Sequence, residues 1–152
     1  NKKPIDLSQV VRQVADTLNT GLEKRLKLEL SPLSPVMADA EEVGRVLQNL
    51  ILNAREAIGE EGTVTVRTAD REEQVEIAVA DNGRGMSREF FEKELFHPFR
   101  TTKSGGLGIG LFQSKKIMEA HRGSIRVESA QGEGTTITLS FPKPPAEKPR
   151  GE

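Results

Sequence analysis

Apolar residues recur near the start of the chain at the spacing of a helix, with Leu7, Val10, Val11, Val14 and Leu18 on one face and polar residues between them. Asp6 stands where a cap belongs, Gln9 is placed to reach back as in a capping box, and Ile5 with Val10 has the spacing of a hydrophobic staple. After Gly21 the period shortens to two: Leu26, Leu28 and Leu30 alternate with Lys27 and Glu29, which predicts a half-buried strand before Pro32 and Pro35 break the chain. A second helix opens at Asp39, with Glu42 at the capping-box position, and buries Val43, Val46, Leu47, Leu50, Ala54 and Ala57 until Gly59 releases it. Val64 and Val66, then Val75, Ile77 and Val79, alternate on either side of the charged turn Asp70 to Glu73, and so predict a hairpin.

From Asp81 to Gly110 the chain is rich in glycine and charge and too long for an ordinary connection, which marks it as the expected functional segment. A third helix follows near Gly108 to His121, with Leu107, Leu111, Ser114 and Met118 on one stripe and a stop at Gly123. Two closing strands carry Ile125 and Val127, then Ile137, Leu139 and Phe141, before the proline-rich end PKPPAEKPRGE, expected to be disordered. Clean alternation in the strands means one covered sheet face and one wet face. The expected fold is therefore a two-layer α/β sandwich, with a mixed, mostly antiparallel sheet of about five strands and about three helices on one side.

Charge narrows the partners. Lysine and arginine total 22 against 23 acids, a net charge of -1, so no overall field recruits nucleic acid or an anionic membrane, and any anion must be met locally. The absence of cysteine removes thiolate metal sites and thiol nucleophiles and agrees with a reducing, cytoplasmic setting. No apolar run approaches the roughly 20 residues of a membrane span. The chain starts at Asn1 without an initiator methionine and reads as a fragment of a longer protein.

Three clusters could carry chemistry. Gly106, Gly108 and Gly110 have a spacing that matches neither the dinucleotide fingerprint nor the Walker loop, yet they lead into a helix, where bare backbone N–H groups can meet phosphate; a flexible surface loop is the other reading. Asp81-Asn82-Gly83-Arg84-Gly85 ends a strand, and its carboxylate could accept an exocyclic amine and so favour adenine over guanine, or the segment could simply turn the chain. Asn49 and Asn53 lie one helical turn apart, where paired carbonyl oxygens suit a hard cation such as magnesium, although asparagine is also at home on a wet helix face.

Taken in order, these clusters resemble the ATP-binding domain of sensor histidine kinases, in the GHKL superfamily that includes gyrase and a heat-shock chaperone. LQNLILNA (Leu47 to Ala54) is similar to the N box, DNGRG (Asp81 to Gly85) to the G1 box, FHPF (Phe96 to Phe99) to the F box and GLGIGL (Gly106 to Leu111) to the G2 box. GTTITLSF, from Gly134 to Phe141, resembles the closing strand. The resemblance covers nearly the whole chain. It implies an ATP-binding catalytic domain over residues 1–142, with residues 86–105 as a mobile lid held by packing of Phe96 and Phe99, and a disordered tail over 143–152.

The same resemblance implies roles. Asp81 would take the adenine amine, supported by Thr135, with Gly83 and Gly85 shaping the loop beside the base. Asn49 and Asn53 would bind Mg2+, and Gly106, Leu107, Gly108, Gly110 and Leu111 would surround the triphosphate. Arg100, Thr101, Thr102 and Lys103 look like the lid of the nitrogen-regulation type of kinase, with Lys103 acting catalytically near the terminal phosphates alongside Asn49. Hydrolysing members of the superfamily carry a glutamate in the N box where this chain has Asn49, and an amide has no comparable basicity. The expectation is therefore transfer of the γ-phosphoryl group of ATP, leaving ADP, to a histidine outside the chain. Neither His97, followed by Pro98, nor His121, followed by Arg122, has the acidic neighbour of the family's acceptor. The implied partners are an upstream histidine-bearing dimerisation domain and a response-regulator receiver domain, with a monomeric fragment, a dimeric intact protein and a membrane attachment supplied, if at all, elsewhere. A serine kinase of the anti-sigma type and a non-catalytic nucleotide-binding module are the competing readings.

Overall fold

A computed structural model describes residues 1–18, 25–59, 61–83 and 107–144, with the backbone alone at 107–110. Strand β1 (Lys3–Ile5) leads into helix α1 (Leu7–Thr17), followed by β2 (Leu26–Glu29), β3 (Val36–Ala38) and helix α2 (Ala40–Ile58). The hairpin β4 (Val64–Asp70) and β5 (Gln74–Asp81) comes next, then helix α3 (Leu107–Ala120), β6 (Ser124–Ala130) and β7 (Gly134–Pro142). Five strands form one sheet in the order β2-β4-β5-β7-β6, with β2 parallel to β4 and every other pair antiparallel. The expected sandwich, with its mixed but mostly antiparallel sheet, is the observed one.

The helices form where the sequence places them because their ends are capped as well as periodic. Asp6 caps α1 by accepting from the Ser8 N–H at 2.9 Å, so the cap is the expected residue, while Gln9 makes a backbone bond to Asp6 O at 3.1 Å rather than a reciprocal side-chain one. Asp39 accepts from both Glu41 N (3.0 Å) and Glu42 N (3.1 Å) at the start of α2, and Gly59, with φ of +62°, ends it. The buried stripe of α2 is wider than its heptad-like spacing implies. Ile51 and Ile58 join Val43, Val46, Leu47, Leu50 and Ala54 in the core, whereas Ala57 is only half-buried. The reason is position: α2 packs on α1, α3 and three strands, so it has several covered faces.

Opposite α2, Val64 and Val66 of β4, Val75, Ile77 and Val79 of β5, and Ile137, Leu139 and Phe141 of β7 supply the sheet side of one continuous core. Two expectations need correction, and one pair of strands was not foreseen. Leu28 is 39% exposed although Leu26 and Leu30 pack against the core, because β2 pairs only with β4 and an edge position covers less of a side chain. The two three-residue strands β1 and β3, which pair antiparallel with Pro4 opposite Met37, are too short to show a period. At the end of α3 the left-handed residue is Arg122 (φ 59°), not Gly123; glycine is required at 123 because a Cβ there would stand 2.2 Å from Ser140 O. His121 is buried beside it, donating from Nδ1 to Ile117 O at 2.9 Å and accepting the Asp39 N–H on Nε2 at 3.1 Å, so it ties α3 to the cap of α2. Among the described residues no helix is long and apolar enough to cross a membrane.

Candidate functional site

Asp81 is the last residue of β5, at the end of the strand that runs through the middle of the sheet. Its Oδ1 accepts the Gly83 N–H at 2.9 Å, so Asp-Asn-Gly does make the turn that composition allows. Asn82 locks that turn by accepting from Thr63 N at 2.8 Å. Gly83 then runs so close to α2 that a Cβ on it would lie 2.4 Å from Ala57 O, one turn beyond Asn53. A side chain there would push the loop off the helix, and this backbone approach brings the strand end and the asparagine helix together.

The neighbouring strand completes this wall. Thr135 on β7 is in register with Asp81 and is buried, and its Oγ1 lies 2.7 Å from Ser129 Oγ on β6. Ser129 donates to Gly134 O at 3.2 Å. The two hydroxyls and the Gly134 carbonyl thus form one small bonded group at the end of β6 and β7. Gly134, at φ of +101°, lets β7 pass so near Asp81 that a Cβ would be 2.1 Å from Asp81 O. Neither Ser129 nor the need for glycine at 134 is apparent from spacing; the only sequence signal is a glycine directly before the threonine.

On the opposite wall Asn49 and Asn53 are both half-buried on α2. Asn49 Nδ2 donates to Ser114 Oγ on α3 at 3.5 Å, a long bond. Among the described residues, Asn53 Nδ2 is buried without a hydrogen-bond partner. An unmade bond of that kind costs about 1–3 kcal/mol, and it is made good by a ligand, by water or by rotation of the amide to present its oxygen. Between α2 and α3 a cleft of about 520 Å³ opens beside Asn49, lined further by Glu42, Arg45, Gln113, Ser114 and Lys116. Among the described residues no cluster of three His, Cys, Asp or Glu side chains could hold a metal by itself. The oxygen donors offered are the two neutral amides, a set that fits magnesium when phosphate oxygens and water fill its remaining positions.

Leu107 opens α3, so Gly108 and Gly110 fall in its first turn and Leu111 is fully buried behind them. The first turn of α3 has no acidic side chain, and a helix start, whose N–H groups have no partner within the helix, favours an anion together with the dipole. The sequence thus places Asp81, Gly83, Asn49, Asn53, Thr135 and the start of α3 on elements that the fold brings side by side. Gly85, Arg100, Thr101, Thr102, Lys103, Gly106, the Phe96 to Phe99 box, His97 and the 86–105 segment lie outside the described residues, as does 145–152 of the expected tail. Among the described residues two carboxylates are held below their usual 3.8, neither of them a member of this set: Asp39 by the Glu42 N–H and the terminal amine, and Asp70 by Lys143 and Ser34.

The sequence profile described as "Histidine kinase-, DNA gyrase B-, and HSP90-like ATPase" matches residues 38–145. The signal transduction histidine-protein kinase AtoS of Escherichia coli K12 is 42% identical over 143 residues, covering 91% of this chain and 23% of that protein. Sporulation kinase E of Bacillus subtilis is 34% identical over 143 residues, 90% of this chain and 19% of that protein. The chain therefore spans about a quarter or less of the length of these two relatives. The nucleotide-free catalytic domain of the histidine kinase ThkA superposes with a TM-score of 0.81 at 30% identity, covering 94% of this chain and 96% of that one. ThkA in complex with the response regulator TrrA gives a TM-score of 0.77 at 26% identity, over 97% of this chain and 43% of that one.

Proposed function

We propose that this chain, which belongs to the histidine kinase-, DNA gyrase B- and HSP90-like ATPase family, is the part of a sensor histidine kinase that binds Mg-ATP and presents its γ-phosphoryl group to a histidine on a separate upstream domain. Membership in that family makes ATP the nucleotide. The observation that carries the site assignment is the convergence of three elements: the Asp81 turn against Ala57 of α2, the Asn49 amide against Ser114 of α3, and Thr135 in register with Asp81.

In this reading the Asp81 carboxylate, whose Oδ1 accepts the Gly83 N–H, also accepts the adenine amine, a contact that a guanine carbonyl would replace with repulsion. Thr135, in register with Asp81 on the neighbouring strand, supports the base with its hydroxyl. The N–H groups at the start of α3 receive the phosphates, with Gly106, Leu107, Gly108, Gly110 and Leu111 forming that end of the site. Magnesium, when bound, neutralises phosphate charge and orients the transferred group. Asn49 and Asn53 hold it through their amide oxygens, while Arg100, Thr101, Thr102 and Lys103, on a lid over residues 86–105, approach the terminal phosphates, with Lys103 offsetting the charge that moves in transfer.

Asn49 cannot take a proton from water, so the site favours an external nucleophile. The acceptor nitrogen bonds to phosphorus as the bond to the bridging oxygen breaks and ADP leaves. AtoS and ThkA are histidine kinases, which favours a histidine acceptor over a serine. The ThkA–TrrA complex supports a response-regulator receiver domain as a partner of the intact protein. The test is incubation of the chain with γ-labelled ATP and a separately made histidine-bearing domain: label should pass to that domain, whereas sustained phosphate release by the chain alone refutes the assignment.

A further inference from the structure

We propose that Asn82 is a positioning residue for the base-selecting carboxylate: its side-chain oxygen stands in for its own main-chain carbonyl in the last rung of the β4–β5 ladder, so the chain can leave the sheet where Asp81 must be aimed. The inference rests on the reading of Asp81 as the contact to the adenine amine. The register of β4 and β5 ends with Val64 opposite Asp81, so Thr63 and Asn82 form the next pair. Val64 N points the other way, to Arg25 O beside β2 at 2.8 Å, which leaves Thr63 N directed at β5. A pair of this kind in a regular antiparallel ladder exchanges two main-chain bonds. One of them is made, from Asn82 N to Thr63 O at 3.4 Å. The other is replaced by a side-chain bond, in which Thr63 N donates to Asn82 Oδ1 at 2.8 Å. A main-chain N–H only donates, so the end of the amide that faces it is the oxygen.

The neighbours are shaped around that oxygen. A Cβ on Gly62 would stand 2.6 Å from Asn82 Oδ1 and 2.5 Å from Ile58 Cβ, so glycine at 62 lets the end of α2 and the Asn82 oxygen share one place. On the far side, a Cβ on Gly134 of β7 would stand 2.9 Å from Asn82 Cα. With its side chain satisfying Thr63, the Asn82 main chain is free to turn away from β4, the substitution of side chain for backbone that suits asparagine to turns. Gly83 accordingly lies against α2, where a built Cβ would be 2.4 Å from Ala57 O, and its N–H bonds Asp81 Oδ1 at 2.9 Å. That bond restrains the carboxylate, and it depends on the chain turning at Asn82. Asn82 itself is exposed and fills no space in the core, so the bond to Thr63 is accounted for by the turn and not by packing.

The test is calorimetric titration of wild type, Asn82→Ala and Asn82→Asp with ADP and with purine riboside diphosphate, the analogue without the exocyclic amine, with melting temperatures recorded for each. Wild type should prefer ADP. Asn82→Ala should lose about tenfold in ADP affinity while its affinity for the analogue is unchanged, and Asn82→Asp, which keeps an oxygen acceptor for Thr63 N, should recover the loss. An unchanged preference for ADP in Asn82→Ala overturns the inference, as does an equal loss for both ligands, which would mark Asn82 as a structural residue only. Amide hydrogen exchange at Thr63 in the wild type checks the bond without any substitution: protection supports it, and exchange at the rate of an open loop overturns it. If wild type binds the two ligands equally, the reading of Asp81 as the amine contact falls first and this inference with it.

Discussion

Replacing Gly134 by alanine tests the contact that closes the Asp81 wall. The added Cβ would meet Asp81 O at 2.1 Å, Asn82 Cα at 2.9 Å and Asp81 C at 3.0 Å, all backbone atoms that no side-chain rotation can move aside. Either β7 slips against β5 or the strand end carrying Asp81 shifts. Two costs combine. Holding a non-glycine residue at φ of +101° costs about 1–3 kcal/mol, and overpacking against fixed atoms adds about 1–3 kcal/mol, for a total of about 2–6 kcal/mol. Gly132 supplies the control, since its φ is +84° but a Cβ there meets nothing within 4 Å, so alanine carries only the conformational cost. With no tryptophan or tyrosine in the chain, urea unfolding followed by circular dichroism is the suitable assay. Gly134→Ala should lose about 1–3 kcal/mol more than Gly132→Ala, and only Gly134→Ala should weaken adenine-nucleotide binding, by tenfold or more, which is about 1.4 kcal/mol. Equal losses in the two variants would refute the close passage of β7 over Asp81.

Other perturbations separate packing from electrostatics. Gly44 lies inside α2 with its nearest neighbour, Val14 Cγ2, 3.8 Å from a built Cβ, so Gly44→Ala should stabilise the chain by about 0.5–1 kcal/mol and raise its melting temperature; a drop would mean that α1 and α2 approach more closely. His121→Phe keeps ring volume against Phe141 but strands the Asp39 N–H, and chemical unfolding should show a loss of about 1–3 kcal/mol. Asp70 is held below its ordinary 3.8 by Lys143 first and Ser34 second, so its contribution is present above 3.8 and disappears as pH falls through the lowered value. The stability gap between wild type and Asp70→Asn should therefore narrow on acidification below about pH 4; a gap constant with pH would assign the effect to packing.

Legibility in the sequence followed the range of the interaction. Helix α2 was readable because Asp39, the stripe from Val43 to Ala54 and Gly59 all act within one element, although the Asp39 N–H goes to His121 and not to the Glu42 side chain as a capping box would have it, and the β4–β5 hairpin because alternation and the Asp70 to Glu73 turn agree. The resemblance carried by the four boxes holds at the level of family and fold, and Asp81, Asn49, Asn53 and Thr135 fall on adjoining elements. What escaped was set by approach between elements distant in sequence. The bond from Asn49 to Ser114 spans 65 residues, and the requirement for glycine at 134 exists only because Asp81 O lies beside it. The β1–β3 pair escaped for a different reason, since three residues are too few for a period to be distinguished from composition.

The central claim is that one carboxylate at the end of β5 selects the base of the nucleotide held between α2, α3 and β7. Calorimetric titration of wild type and Asp81→Ala with ADP and GDP in magnesium, alongside melting curves, addresses it most directly. The account predicts that wild type binds ADP and not GDP, and that Asp81→Ala loses ADP binding while still melting cooperatively. Unchanged ADP affinity in a folded Asp81→Ala chain, or equal affinity of wild type for the two nucleotides, would contradict it.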